Sequence, residues 1–202
     1  MSALSVNLPP SHSAVRFHEG QALLRIAGTY PTIQAVLLEE VQNALDVGAR
    51  KIAIDLDYQK RCLTIRDNGC GVTRLEFEAA LRSVCSTMKK KEEHKLGRYG
   101  IGLVSPLGKC KSFTFTSCSG SAGFTQWTFD VKAMSEQATD LKIPCELRPD
   151  LTLDEREGRK GGKNLVHWRT EVCLNNFTQD RVINQVSIEG LTEAILDRFR
   201  VV

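Results

Sequence analysis

Between Leu37 and Ala49 the chain reads Leu-Leu-Glu-Glu-Val-Gln-Asn-Ala-Leu-Asp-Val-Gly-Ala, and three of its polar residues are spaced for joint chemistry. Glu39, Asn43 and Asp46 fall at i, i+4 and i+7, on one face of a helix. A carboxylate, an amide and a second carboxylate in one row can hold a hydrated cation and orient a water. Taken alone, the row reads as the solvated side of an ordinary surface helix. Two later stretches add to it. In Asp67-Asn68-Gly69-Cys70-Gly71 an aspartate is followed by two glycines that permit close backbone approach. Such an aspartate can accept a hydrogen bond from an exocyclic amine like that of adenine, although Asp-Asn-Gly by itself is a turn signal. In Gly97-Arg98-Tyr99-Gly100-Ile101-Gly102 the glycines open a helix start, whose exposed amides and positive dipole end suit a polyphosphate. No Gly-Lys-Ser/Thr follows, so this is not a P-loop. The strand and ribose-binding acid of a dinucleotide fingerprint are misplaced as well.

The elements that must position these residues follow from periodicity. Ile33, Val36, Leu37, Val41, Ala44 and Leu45 form the apolar stripe of the first helix, which Gly48 stops. Lys51 to Asp57 alternates as a half-buried strand, Tyr58 to Arg61 turns, and Cys62 to Arg66 returns antiparallel into Asp67. Thr73 with Glu76 makes a capping box that opens a helix from Leu75 to about Arg82. Val84 to Leu96 is polar and lysine-rich and reads as a loop, while Ile101 to Leu107 is an apolar turn broken by Pro106. Ser112 to Ser117 and Thr125 to Asp130 pair as a hairpin around Ser119-Gly120-Ser121. Leu141 to Leu147 and Leu165 to Leu174 are expected strands, with a charged surface loop at Asp154 to Lys163. A closing helix from Ser187 to Arg200 turns Ile188, Leu191, Ile195, Leu196 and Phe199 inward. Residues 1–14 read as a flexible lead-in, Val15 to Ile26 as a strand or short helix, and 15–202 as one domain. The sum is an α/β (α+β) two-layer sandwich, a mostly antiparallel mixed sheet with helices on one face.

Composition narrows the class. With 202 residues the chain can bury a proper core, and a net charge of +3 permits a nucleic-acid partner without arguing for one. Seven cysteines include no Cys-x-x-Cys pair, which favours reduced thiols in a cytosolic or nuclear protein. The four histidines lack metal-ligand spacing, and no apolar run approaches the ~20 residues that span a bilayer.

The order of these motifs decides between the readings. An acidic-amide helix, then Asp-x-Gly-x-Gly after a hairpin, a long loop, and Gly-x-x-Gly-x-Gly together resemble the nucleotide-binding domain of the GHKL superfamily. That superfamily includes DNA gyrase B, the ninety-kilodalton heat-shock chaperones, histidine kinases and MutL-type repair proteins. The resemblance is close from about Tyr30 to Leu107 and looser beyond. It implies a Bergerat-type ATP-binding fold. Glu-Glu-Val-Gln-Asn-Ala-Leu-Asp-Val-Gly-Ala looks most like MutL-type proteins. Gly-Arg-Tyr-Gly-Ile-Gly-Leu looks more like MORC-type ATPases or type IIB topoisomerase B subunits, since MutL proteins generally carry Gly-Phe-Arg-Gly-Glu-Ala there.

Carried onto this sequence, the resemblance implies that Asn43 ligates Mg²⁺, that Glu39 is the general base, and that Asp46 supports the site near the nucleotide. Asp67 would bind the adenine amine in a pocket shaped by Gly69 and Gly71. Thr87, in a lid running from about Val84 to Leu96, would also meet the nucleotide. Gly97, Arg98, Tyr99, Gly100, Ile101, Gly102 and Leu103 would wrap the phosphates. Thr170 matches a threonine that backs the adenine site, although the family usually has glycine before it and this chain has Arg169. The implied activity is Mg²⁺-dependent ATP binding with slow hydrolysis, coupled to nucleotide-dependent dimerisation or clamp motion. The γ-phosphate would receive a lysine or arginine from a second domain or subunit. Two alternatives stand beside it. One is an ATP-gated interaction module without turnover. The other is a histidine or protein kinase-type phosphotransferase, which Glu39 disfavours because histidine kinases typically carry asparagine at that position.

Overall fold

A computed structural model describes residues 18–86, 102–120, 123–137, 141–157, 164–177 and 188–199. The helices are α1 (Glu19–Ala27), α2 (Ile33–Asp46), α3 (Arg74–Ser86), α4 (Val131–Glu136) and α5 (Ile188–Arg198), with a 3-10 helix at Gly102–Gly108. The strands are β1 (Ile52–Asp57), β2 (Cys62–Asp67), β3 (Cys110–Ser117), β4 (Phe124–Asp130), β5 (Cys145–Arg148), β6 (Asp154–Glu157), β7 (Asn164–His167) and β8 (Thr170–Phe177).

Local chemistry sets the boundaries of the elements around the site. The Thr32 hydroxyl caps α2 by accepting from Ala35 N at 3.1 Å, satisfying an orphan donor of the first turn. At the other end Gly48 takes φ +76° and donates to Leu45 O at 2.9 Å, so the chain leaves the helix toward β1. The capping box of α3 is complete: Thr73 N donates to Glu76 Oε2 at 2.7 Å, and Glu76 N to Thr73 Oγ1 at 3.2 Å.

One six-stranded sheet has the order β1-β2-β8-β3-β4-β5, and every pairing in it is antiparallel. A strand from late in the chain, β8, therefore lies between β2 and β3. Its register places Thr170 opposite both Asp67 and Ser117. Leu63, Ile65, Phe113, Phe115, Trp127, Phe129, Val172 and Leu174 face the helices, where they meet Leu23, Ile33, Val36, Leu37 and Phe77. Phe77 stacks on Phe115 and Trp127 with centroids 4.5 and 4.1 Å apart, which anchors α3 to the sheet. The two-layer sandwich expected from the pattern is the architecture found.

Several sequence expectations need correction. The ambiguous stretch before Pro31 is helical, as α1. Leu45 is 41% exposed, because the stripe of α2 turns through Glu40 instead. Helix α3 runs past Arg82 to Ser86 and buries Val84 in the core, so the start of the expected lid is helix. The expected strand at Leu165 to Leu174 divides at Trp168-Arg169. Its first half, β7, pairs with β6, which forms where a loop was expected. In α5 Leu196 is 62% exposed; the side chains of Ile188 and Leu191 lie outside the described ones. The lead-in, Thr87, the rest of the lid, and Gly97 through Ile101 lie outside the described residues.

Candidate functional site

At one end of the sheet, under α2, lies an open cleft with about 870 Å³ of empty space, its solvent mouth included. Its walls come from α2 (Glu40, Asn43, Asp46), the ends of β2 and β8 (Asp67, Thr170), the start of α3, and Gly102-Leu103. Elements far apart in sequence thus bring Asn43, Asp46, Asp67, Gly102, Leu103 and Thr170 to one cavity.

Asp67 is the last residue of β2 and is buried. Its Oδ1 accepts from Gly69 N at 2.8 Å, and Thr170 donates a side-chain hydrogen bond to the same carboxyl. Burial raises its pKa above the ordinary value, and those two donors pull it back down. The hydroxyl of Thr170 lies 3.2 Å from that of Ser117, which also accepts from Val72 N at 3.0 Å. Arg169, standing where glycine was expected, donates its N–H to Asp67 O at 2.8 Å and accepts from Cys118 N at 3.0 Å. Its guanidinium donates to Gly120 O at 3.3 Å, so the arginine is held by its own partners. Gly71 takes φ +67°, and a Cβ there would lie 2.0 Å from Cys118 O.

The other end of the cleft belongs to α2. Asn43 Nδ2 donates to Glu40 Oε2 at 3.4 Å, and Asp46 Oδ1 accepts from Gln42 Nε2 at 2.7 Å. Glu39 lies beside Gly102, where an added Cβ would stand 2.5 Å from Glu39 Oε1. Only glycine lets the 3-10 helix press so closely on this carboxylate. Arg198 of α5 reaches the other side, with Nη2 3.8 Å from Glu39 Oε2. Tyr30 belongs to the same neighbourhood. Burial first, then the charges of Glu39 and Glu40, push its phenol up to about 12.

The model of the family described as histidine kinase-, DNA gyrase B-, and HSP90-like ATPase matches residues 30–157. That span is more than half of the chain and holds α2, the β1–β2 hairpin, Asp67 and Gly102. The chain belongs to this ATPase family. Similar curated proteins include the chaperone protein HtpG of Photorhabdus laumondii, 28% identical over 155 residues that cover 70% of this chain and 24% of HtpG. The DNA mismatch repair protein MutL of Proteus mirabilis is 35% identical over 124 residues, covering 58% of this chain and 17% of MutL. The chain thus spans about a quarter or less of the length of these relatives.

Within this ATPase-family site the structure adds residues that the motifs did not reveal. Ser117 backs Thr170 from behind the cleft only through strand pairing, and nothing in its local sequence marks it. Arg198 reaches Glu39 only because α5 packs on α2. Glu40 was legible in principle. It sits at helical spacing within the stripe Ile33, Val36, Leu37, Val41 and Ala44, and a carboxylate inside a core stripe is itself a signal.

Donor chemistry fits a hard divalent cation. The Asn43 amide oxygen is a hard donor of the kind that Mg²⁺ takes alongside water and phosphate. No helix among the described residues is long and apolar enough to cross a membrane.

Proposed function

We propose that this chain binds ATP with Mg²⁺ and hydrolyses it slowly. The observation that carries the reading is the buried pair Asp67 and Thr170, on neighbouring strands at the floor of the cleft, with Ser117 behind Thr170 on the next strand. A row of acceptor and hydroxyl groups on an otherwise apolar floor suits the amine-bearing edge of adenine. Asp67 accepts from the exocyclic amine, and the Thr170 hydroxyl holds the carboxyl and completes the edge.

The phosphates then run along α2 toward Gly102. Asn43 would hold the cation, which when bound neutralises phosphate charge as it builds. Glu39 orients a water and takes its proton as the water attacks the terminal phosphorus. The closeness of its carboxylate to Gly102, which borders the cleft, supports this role. Nucleotide binding would also pair two copies of the chain, as the family resemblance implies.

Calorimetric titration of ATP into wild-type protein and an Asp67→Asn variant tests the reading. A hydrogen bond to a charged acceptor is worth about 1.5–3 kcal/mol. Affinity is therefore expected to fall by roughly ten- to a hundredfold in the variant. Equal affinity in both proteins, or none in the wild type, refutes it.

A further inference from the structure

Glu40 is the one buried carboxyl on α2 that the mechanism above does not use. It is 5% exposed and lies within the apolar stripe of the helix. No ion pair engages it among the described residues. Burial, then the charges of Glu39 and Asp67, push its pKa up to about 8, against the lowering effect of its hydrogen bond with Asn43. An aliphatic side chain would fill this place in the stripe without that desolvation cost. Yet the carboxyl lines the cleft, three residues before Asn43 and on the same side of the helix.

Its partner explains its use. A side-chain amide has one end that can ligate a cation and one that cannot: Oδ1 is an acceptor, and Nδ2 carries two donor protons. The two ends are nearly equal in size, so packing alone selects weakly between them. A hydrogen bond at one end shifts the balance between them. Asn43 Nδ2 donates to Glu40 Oε2 at 3.4 Å, and the amide oxygen has no protein partner among the described residues.

We propose that Glu40 is a positioning residue whose buried carboxyl holds Asn43 Nδ2, turning Oδ1 toward the cleft to serve a divalent cation on the nucleotide phosphates. This rests on the nucleotide reading above and adds a determinant of the cation's place in it. Glutamine at position 40 keeps an acceptor oxygen for Nδ2. Leucine removes it while matching the apolar stripe.

The test titrates the full chain with a non-hydrolysable imido analogue of ATP, once with EDTA and once with Mg²⁺. The ratio of the two affinities is read for wild type, Glu40→Gln and Glu40→Leu. Glu40→Leu is expected to lose roughly two- to tenfold of the Mg²⁺ enhancement, the range set by one net hydrogen bond. Glu40→Gln is expected to restore that enhancement. An unchanged enhancement in Glu40→Leu overturns the proposal, and so does a parallel loss with and without metal, which would make Glu40 a wall of the cleft only. The side-chain amide resonances of Asn43 give a readout without nucleotide. They should shift in Glu40→Leu and stay near wild type in Glu40→Gln, and identical Asn43 signals in wild type and Glu40→Leu also overturn it. Failure of wild-type protein to bind the analogue under either condition defeats the nucleotide reading itself. Normal wild-type binding with an indifferent Glu40→Leu defeats only the role given to Glu40.

Discussion

The two ends of the cleft are built in different ways. At the base end the polar groups belong to strands, and the pairing of β2, β8 and β3 fixes Asp67, Thr170 and Ser117 relative to one another. At the other end the groups project from α2, and neighbouring groups hold them: Glu40 of the same helix on the Asn43 amide, Gly102 against Glu39, and Arg198 of α5 beyond it. The first end is as rigid as a backbone ladder. The second depends on which rotamers those contacts select. On the proposed function, base recognition would be preorganised by register and chemistry by side-chain packing.

That contrast is open to attack at each end. The largest effect is expected at the α2 end, where Glu39→Gln should lower ATP turnover by roughly 10²–10⁴-fold, the usual worth of a positioned base. Because the base end is untouched, affinity for a non-hydrolysable analogue should stay within about threefold. Steady-state phosphate release beside calorimetry checks both, and preserved turnover removes Glu39 from the mechanism.

Gly71→Ala strikes the base end. The added Cβ meets Cys118 O at 2.0 Å and the backbone is held at φ +67°, so the chain beside Arg169 and Thr170 must move. A cost of about 2 kcal/mol or more is expected from strain of this kind. Thermal midpoint and nucleotide affinity should fall together. A loss of stability with full affinity would show that the row tolerates displacement and would weaken the contrast.

The smallest effect concerns Glu40 in the metal-free protein. Its folded pKa of about 8 lies above the ordinary 4.5, so between those values the folded state holds a proton that the unfolded chain releases. The stability it confers is complete below the unfolded pKa and is lost as pH rises through the folded one. Glu40→Gln removes this dependence, so its advantage over wild type should grow by up to about 1.4 kcal/mol between pH 6 and pH 7. Parallel stability curves for the two proteins would mean that Glu40 is charged when folded.

Much of this was legible before any coordinates. The capping box of Thr73 and Glu76, the stop at Gly48, and the alternation through β1, β2, β3 and β4 are local signals, and the structure follows each of them. The misread places are those where distant contacts override local pattern. Residues 164–177 alternate well enough to look like one strand. Trp168 and Arg169 nevertheless break the run, because Arg169 bridges the main chains of Asp67 and Cys118 while β7 turns away to pair with β6. Leu45 has the hydrophobicity for the core stripe, yet Glu40 occupies that face instead.

By itself, then, the sequence determined α2, α3, the β1–β2 and β3–β4 hairpins, the family, and the residue types available for chemistry. Side-chain periodicity, capping and turn formation act over a few residues, and so did the motifs that carried the resemblance. Only the tertiary structure decided that Thr170 and Ser117 stand in one row with Asp67 and that Glu39 lies between Gly102 and Arg198. Strand order places β8 between β2 and β3, and α5 packs on α2. Those pairings are settled by burial and hydrogen bonding across the whole chain, which no local stretch of residues encodes.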